Sequence, residues 1–395
     1  VSGPGNSTGE ISKPHGVARL LPLVEALEKL AGKLPGPLKK PILQEITPVK
    51  NLFLRERPPR LAIVGQVSAS RMAVLESLLG VPLDLPGPAA STWCEFSRDG
   101  LGALHLLDAR LPASLAQVES ELRAHQPDVV LYLRDEELTG EDLETDLTRA
   151  LEVIVRLPVE VRLLGLALAP ELPADASVQA LHALLHARGA EMSARVETTL
   201  ALSSARLLAP PAPDSRVRHY DLALAEALVR VLPDEAKVQL ARLTGARQAQ
   251  LQIAQALIKS ISAMNSAIGV NPIPLADFPL LSAGQALMVA GIMRASGREL
   301  RVKEAGEFAS AIGANFGIGL VLREGARAAA KFVPGWGNLI SGAIAGAGTY
   351  AMGKAATAYF IEGKTLEQAR SIFKKFRRKK SVPPPQPPKL PPANL

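Results

Sequence analysis

One run of residues has the spacing needed to handle phosphate. The apolar stretch Leu61–Val64 ends at Gly65, and the chain continues Gly65-Gln66-Val67-Ser68-Ala69-Ser70-Arg71-Met72 into a helical pattern. A phosphate loop reads G-x-x-x-x-G-K-[ST] between a strand and a helix. Its glycines let backbone N–H groups wrap the phosphates, its lysine neutralises the β/γ charge, and its hydroxyl ligates Mg2+. Gly65 holds the first glycine position, while Ser70 stands at the second, Arg71 at the lysine and Met72 at the hydroxyl. Arg71 keeps the positive charge on a bulkier head. A thioether at Met72 cannot replace a hard oxygen ligand.

Later residues fall in the order that a guanine-nucleotide switch requires. A second apolar stretch ends at Asp108-Ala109-Arg110-Leu111, against the pattern Asp-x-x-Gly that holds Mg2+ through water; Asp108 is present and Leu111 replaces the glycine. Thr92 lies upstream, where a switch threonine would lie. Ala167-Leu168-Ala169-Pro170 aligns with the base-reading Asn-Lys-x-Asp, and Ala167, Leu168 and Pro170 cannot accept from a guanine edge. Ser203-Ser204-Ala205 takes the place of the Ser-Ala loop behind the base. Losing the lysine and the metal ligand removes charge stabilisation from a desolvated site, worth several orders of magnitude in turnover. A base edge left unpaired costs about 1–3 kcal/mol per group. The motifs therefore predict no GTP hydrolysis and no resident cofactor or metal. The enzymatic alternative is a divergent GTPase that holds GTP and Mg2+ with Arg71, Thr92 and Asp108.

The elements around these residues alternate. Strand patterns at Leu61–Val64, Leu101–Leu107, Val129–Leu133, Arg162–Leu168 and Thr199–Leu202 are interleaved with helical patterns at Met72–Leu79, Leu143–Val155 and Val178–Ala187. Such alternation predicts an α/β domain with a mostly parallel sheet and helices on both faces. From Arg218 onward strand signals stop. Helical patterns follow at Tyr220–Val231, Asp234–Ala267, Leu281–Ser296, Val302–Ile312, Ile318–Phe332, Gly342–Ile361 and Thr365–Arg378. The predicted organisation is a disordered leader over 1–15 and a helical segment over 16–57, broken at Pro35-Gly36-Pro37. A degenerate nucleotide-fold domain follows over 58–215, then an all-α Gly/Ala-rich domain over 216–380 and a Pro-rich tail over 381–395. In the second segment Leu20, Leu23, Leu27 and Leu30 form an apolar stripe.

The helical part carries the most specific runs. These are Val270-Asn271-Pro272-Ile273-Pro274-Leu275-Ala276-Asp277-Phe278-Pro279-Leu280, Gly297-Arg298-Glu299-Leu300, Val333-Pro334-Gly335-Trp336-Gly337 and the stretch from Ala343 to Gly353. With them the chain resembles the Era-like GTPases that carry a C-terminal "domain of unknown function 697". The resemblance covers about residues 45–378. It implies a P-loop GTPase-like fold, GTP binding and association with the inner membrane.

Charge and composition narrow the partners. Between Arg301 and Lys380 there are 14 basic and 5 acidic residues, a net of +9 against +7 for the whole chain. A basic end suits an anionic surface. Aromatics are only 4% of residues, too few for base-stacking platforms, so an anionic membrane is favoured over nucleic acid. Phe373-Lys374-Lys375-Phe376-Arg377-Arg378-Lys379-Lys380 ends an amphipathic helix, and its rings would embed in the interface while its charges bind headgroups. Phe332 to Gly353 carries no charge and is long enough to span a bilayer, but its glycines, Pro334, Asn338, Ser341 and Thr349 fit a tightly packed hairpin equally well. Pro383–Pro392 is either a docking ligand or a spacer. Cys94 is the sole cysteine, consistent with a reducing cytosol, and Val1–His15 lacks an apolar signal core. His182 and His186 lie four apart without a third ligand, and the carboxylates between Asp135 and Asp146 suit a helix start. The reading is a pseudo-GTPase scaffold with protein partners at the cytoplasmic face of a membrane, or else a soluble adaptor acting through its Pro-rich tail.

Overall fold

The computed structural model describes residues 36–67, 69–80, 92–98, 100–110, 115–136, 143–204, 222–269, 277–299, 302–313 and 336–379, with 24, 25, 28, 29 and 32. The elements are α1 (Gly36–Phe53), β1 (Arg60–Gly65), α2 (Arg71–Leu79), β2 (Trp93–Arg98), β3 (Gly102–Asp108), α3 (Leu115–Ala124) and β4 (Val129–Asp135). They continue with α4 (Leu143–Ile154), β5 (Arg162–Ala169), α5 (Asp175–His186), α6 (Ala190–Arg195), β6 (Val196–Ser203), α7 (Leu222–Val231), α8 (Asp234–Thr244) and α9 (Arg247–Gly269). The last are α10 (Asp277–Ala295), α11 (Val302–Gly313), α12 (Trp336–Phe360) and α13 (Leu366–Lys379). Two compact units emerge. One comprises the described residues of Asn51–Ile253 and Arg294–Glu299; the other those of Pro14–Lys50, Ala254–Met293 and Leu300–Leu395.

The first unit is built on a six-stranded sheet of order β2-β3-β1-β4-β5-β6. β2 runs antiparallel to β3 and every other pair is parallel. The central strands read as unbroken apolar runs because both faces are covered. Leu61, Ala62, Ile63, Val64 and the whole stretch Val129–Leu133 are buried. On one face Val64, Val130 and Tyr132 pack with Leu147, Ala150, Leu181 and Leu185 of α4 and α5. β1 lies between β3 and β4, so the chain leaves it toward one side of the sheet and returns on the other. In open parallel sheets, ligands sit at such a switch point, outside the carboxyl ends of the strands. Here that point is Gly65.

β2 is the strand that alternation does not reveal. Its residues Trp93-Cys94-Glu95-Phe96-Ser97-Arg98 are mostly half-exposed, as an edge strand with one neighbour allows. α3 and α6 are likewise absent from the expected helices, although α3 buries Val118 and Leu122 from one face. The expected helix over Asp234–Ala267 is two helices, divided at Gly245, which has φ +60 and caps α8.

The sheet unit takes in α7 and α8, which the composition change at 216 leaves with the later helices. Gln239 Oε1 accepts from Ala103 N at 3.0 Å, and Gly102, at φ +134, leaves that side chain room where a Cβ would stand 3.2 Å from Oε1. Behind β3 a buried ionic cluster ties three distant segments. Arg294 donates from Nε and Nη2 to the two oxygens of Glu56, each at 2.7 Å. Arg242 stands 3.7 Å from Glu56 and donates to Gly100 O at 2.6 Å. Burial pushes Arg242 down to about 10, with Arg294 acting the same way and Glu56 opposing. Removing one partner of such a pair costs about 3–5 kcal/mol, because it strands a buried charge.

In the second unit small residues let α12 approach α9 and α10. A Cβ on Gly346 would stand 3.0 Å from Ser266 Cβ, and one on Gly353 would collide with Ile258 and stand 2.9 Å from Met288 Sδ. Across this contact Asn265 donates to Thr349 Oγ1 at 2.9 Å and to Leu281 O at 3.2 Å. Gln285 donates to the same Thr349 oxygen at 3.2 Å, and Thr349 donates to Ala345 O at 2.9 Å. Among the described residues no helix is long and apolar enough to cross a membrane. The small-residue spacing in 342–353 thus serves close helix packing within this unit.

Candidate functional site

The turn leaving β1 is shaped by two contacts. Gly65 has φ +101, and any Cβ there would run into Leu133 O. That close approach, with the left-handed backbone, restricts the position to glycine. Gln66 N then donates to Leu133 O at 2.9 Å, and its side-chain Oε1 accepts from Asp135 N at 2.8 Å. Ala69 N donates back to Gln66 O at 3.2 Å, closing a small turn. Ser70 caps α2: its Oγ accepts from Ala73 N at 3.4 Å. At the second glycine position the chain therefore has a helix cap, a substitution worth about 1 kcal/mol to α2. Val67 N donates to Asp146 Oδ2 of α4 at 3.2 Å.

Asp108 ends β3 beside Ile63, one strand over from the loop. Its partner is Arg110, which the sequence motifs did not single out. Arg110 Nε donates to Asp108 Oδ1 and Nη2 to Oδ2, both at 2.9 Å. The third arm, Nη1, donates to Gln66 O at 2.8 Å and to Ala69 O at 2.6 Å. Both residues are buried, Arg110 at 4% exposure and Asp108 at 5%. Arg71 Nη1 adds a contact with Asp108 Oδ2 at 3.6 Å. Met72 stays half-exposed in the first turn of α2. The available signal for Arg110 was an arginine two residues beyond an acid at the end of a buried strand, a spacing that permits a bidentate fork.

The structure brings Gly65, Ser70, Arg71 and Asp108 to one end of the sheet, and leaves the base-reading positions without polar chemistry. Ala167 is buried within β5, and Pro170 is exposed beyond it. The strand ends are tied to one another: Glu136 N donates to Leu168 O at 3.0 Å and Ser204 N to Ala169 O at 2.8 Å. Ser203 is half-buried, Ala205 and Ser68 lie outside the described residues, and Thr92 immediately precedes β2 with its carbonyl accepting from Cys94 Sγ at 3.7 Å. Burial pushes the Cys94 thiol up, against the pull of Arg71. Tyr132 is fully buried under the same sheet face, and its hydroxyl has no hydrogen-bond partner among the described residues. Burial pushes it up to about 12.

The basic helix departs from expectation in one respect. Phe373 is 3% exposed, and Phe376 packs edge-on against Tyr350 of α12, ring centroids 5.9 Å apart. Phe373 is therefore turned into the unit, while Phe376 meets α12 with one edge and stays half-exposed. The outward face is charge: Arg370, Lys374 and Lys375 are exposed and Arg377 half-exposed. The side chains of Arg378 and Lys379, and all of Lys380, lie outside the described residues, as do Leu20, Leu23, Leu27, Leu30, most of Val270–Leu280, the Pro334 region and the Pro-rich tail. The two histidines of α5 are each engaged by a hydroxyl, His182 by Thr199 at 2.9 Å and His186 by Ser193 at 2.5 Å.

Neither a family model nor a curated protein matches this sequence. Among solved structures, a chain from an oligomerised bacterial dynamin pair, described as sensing and tethering membranes over long range, superposes with a TM-score of 0.32. It is 10% identical, with 95% of this chain and 78% of that one covered. A second chain of such a pair gives a TM-score of 0.29 at 12% identity, covering 94% and 80%. Superpositions this loose carry no argument about the site. The strand order and the helical region describe a mostly parallel six-stranded α/β fold followed by helices.

Proposed function

We propose that the chain is a pseudo-GTPase: a GTPase-shaped scaffold that binds protein partners without turning nucleotide over. It is held peripherally at the cytoplasmic face of an inner membrane by its basic helix. The pairing of Asp108 carries the reading. The one carboxylate retained from the metal-binding set is gripped at 2.9 Å by two arms of Arg110, with Arg71 at 3.6 Å. Presenting it to hydrated Mg2+ would mean breaking a buried, bidentate ion pair. The missing lysine and hydroxyl at Arg71 and Met72 point the same way. Kinship with Era-like GTPases carrying domain of unknown function 697 belongs to this proposal and rests on the quoted runs alone. The membrane part is supported by exposed Lys374 and Lys375, each worth about 1 kcal/mol beside an anionic leaflet.

Titration calorimetry with GTP, GDP and ATP, with and without Mg2+, tests the first part, and no binding heat is expected. Mg2+-dependent GTP binding would replace this reading by the divergent switch GTPase. For the second part, the protein is expected to sediment with phosphatidylglycerol vesicles and not with neutral ones. A chain that stays in the supernatant with both would be a soluble adaptor.

A further inference from the structure

We infer that Arg110 and Asp146 are the residues that keep a phosphate chain out of the loop, an inference that rests on the pseudo-GTPase reading. A phosphate loop works by turning N–H groups inward around an anion. Here two carbonyls, Gln66 O and Ala69 O, converge instead on a cation, Arg110 Nη1, at 2.8 and 2.6 Å. A phosphate oxygen brought to that point would meet two carbonyl oxygens. The peptide groups would have to turn over, and a guanidinium only 4% exposed would have to leave. The donor side is occupied as well. Val67 N–H, which faces the start of the loop, is taken by the carboxylate of Asp146 at 3.2 Å, and Asp146 is itself buried. Its oxygen accepts the bond a phosphate oxygen would accept. Gln66 closes the turn further through Asp135 N.

The excluded class is therefore any chain of phosphoryl groups, whether a nucleoside di- or triphosphate or free pyrophosphate. The exclusion is separable from the missing motif residues: restoring lysine and hydroxyl chemistry to the start of α2 leaves Arg110 and Asp146 in place.

The test compares three full-length proteins titrated with GDP and with pyrophosphate in Mg2+. They are the wild type, a loop graft (Ser70→Gly, Arg71→Lys, Met72→Thr), and the same graft with Arg110→Gly and Asp146→Asn. Only the third is expected to bind, at least about tenfold more tightly than the second. If the wild type binds, the pseudo-GTPase reading fails and takes this inference with it. If the wild type is silent and the graft alone binds as well as the third protein, that reading stands and the exclusion by Arg110 and Asp146 is overturned. A folded third protein that binds neither ligand overturns it too. Should the third protein lack a cooperative melting transition, Arg110→Gln in the same background is read by the same criteria.

Discussion

The loop end of the sheet and the outer face of α13 both concentrate cationic side chains, and they use them in opposite ways. Arg110 is surrounded by acceptors from its own chain, two carboxylate oxygens and two carbonyls. Lys374 and Lys375 point to solvent from a helix whose apolar residues Ala369 and Phe373 face inward. An internal cation fixes local geometry and is little affected by salt. A surface cation acts through a field that salt screens within about 8 Å at physiological ionic strength. What distinguishes the two is the supply of acceptors within reach, which residue type alone does not disclose.

The largest effect should come from Arg110→Ala. It takes both arms of the bidentate pair from buried Asp108 and leaves only Arg71, 3.6 Å away, and the expected loss is about 3 kcal/mol of unfolding free energy by denaturant titration, unchanged by added salt. A loss below about 1 kcal/mol would erase the contrast with α13. Next, Lys374→Gln with Lys375→Gln should weaken binding to anionic vesicles by about 2 kcal/mol, roughly thirtyfold, and leave the melting temperature unchanged.

Tyr132 sharpens the comparison with a buried hydroxyl that has no hydrogen-bond partner among the described residues. Its folded value of about 12 lies above the ordinary 10 of tyrosine. The unfolded chain thus releases this proton first. The folded state keeps its full advantage below pH about 10 and loses about 1.4 kcal/mol per pH unit as pH climbs toward 12. Tyr132→Phe should abolish that alkaline step in melts recorded against pH, without loss of stability at pH 7. The smallest effect is expected for Ser70→Ala, about 1 kcal/mol from the lost cap of α2, read in the same denaturant titration.

Much of the sheet was legible because its inner strands are buried on both faces and read as plain apolar runs, as in Val129–Leu133. β2 was not, since an edge strand such as Trp93–Arg98 needs only one buried face and shows no such run. The loop position followed from Gly65 at the end of β1. What fills the loop did not, because Arg110 lies 44 residues beyond the carbonyl of Gln66 and local spacing carries no trace of that contact. Periodicity placed the helix at Thr365–Arg378 within a residue of α13. It made Phe373 and Phe376 expected lipid anchors, and the edge contact of Phe376 with Tyr350 of α12 left no trace in that local spacing. Gly245 lies inside the expected helix Asp234–Ala267, where sequence alone does not distinguish an αL cap from a tolerated glycine.

The ion pair between Glu56 and Arg294 joins residues 238 positions apart. Glu56 is translated 238 residues before its partner, so the sheet unit cannot complete its interior until Arg294 has been made. A fragment ending at 215 would leave that carboxylate with neither arginine, and one ending at Ile253 would leave it with Arg242 alone, 3.7 Å away. Such truncations should express as poorly cooperative proteins, and biochemical work on the sheet is best done on chains that extend past Glu299.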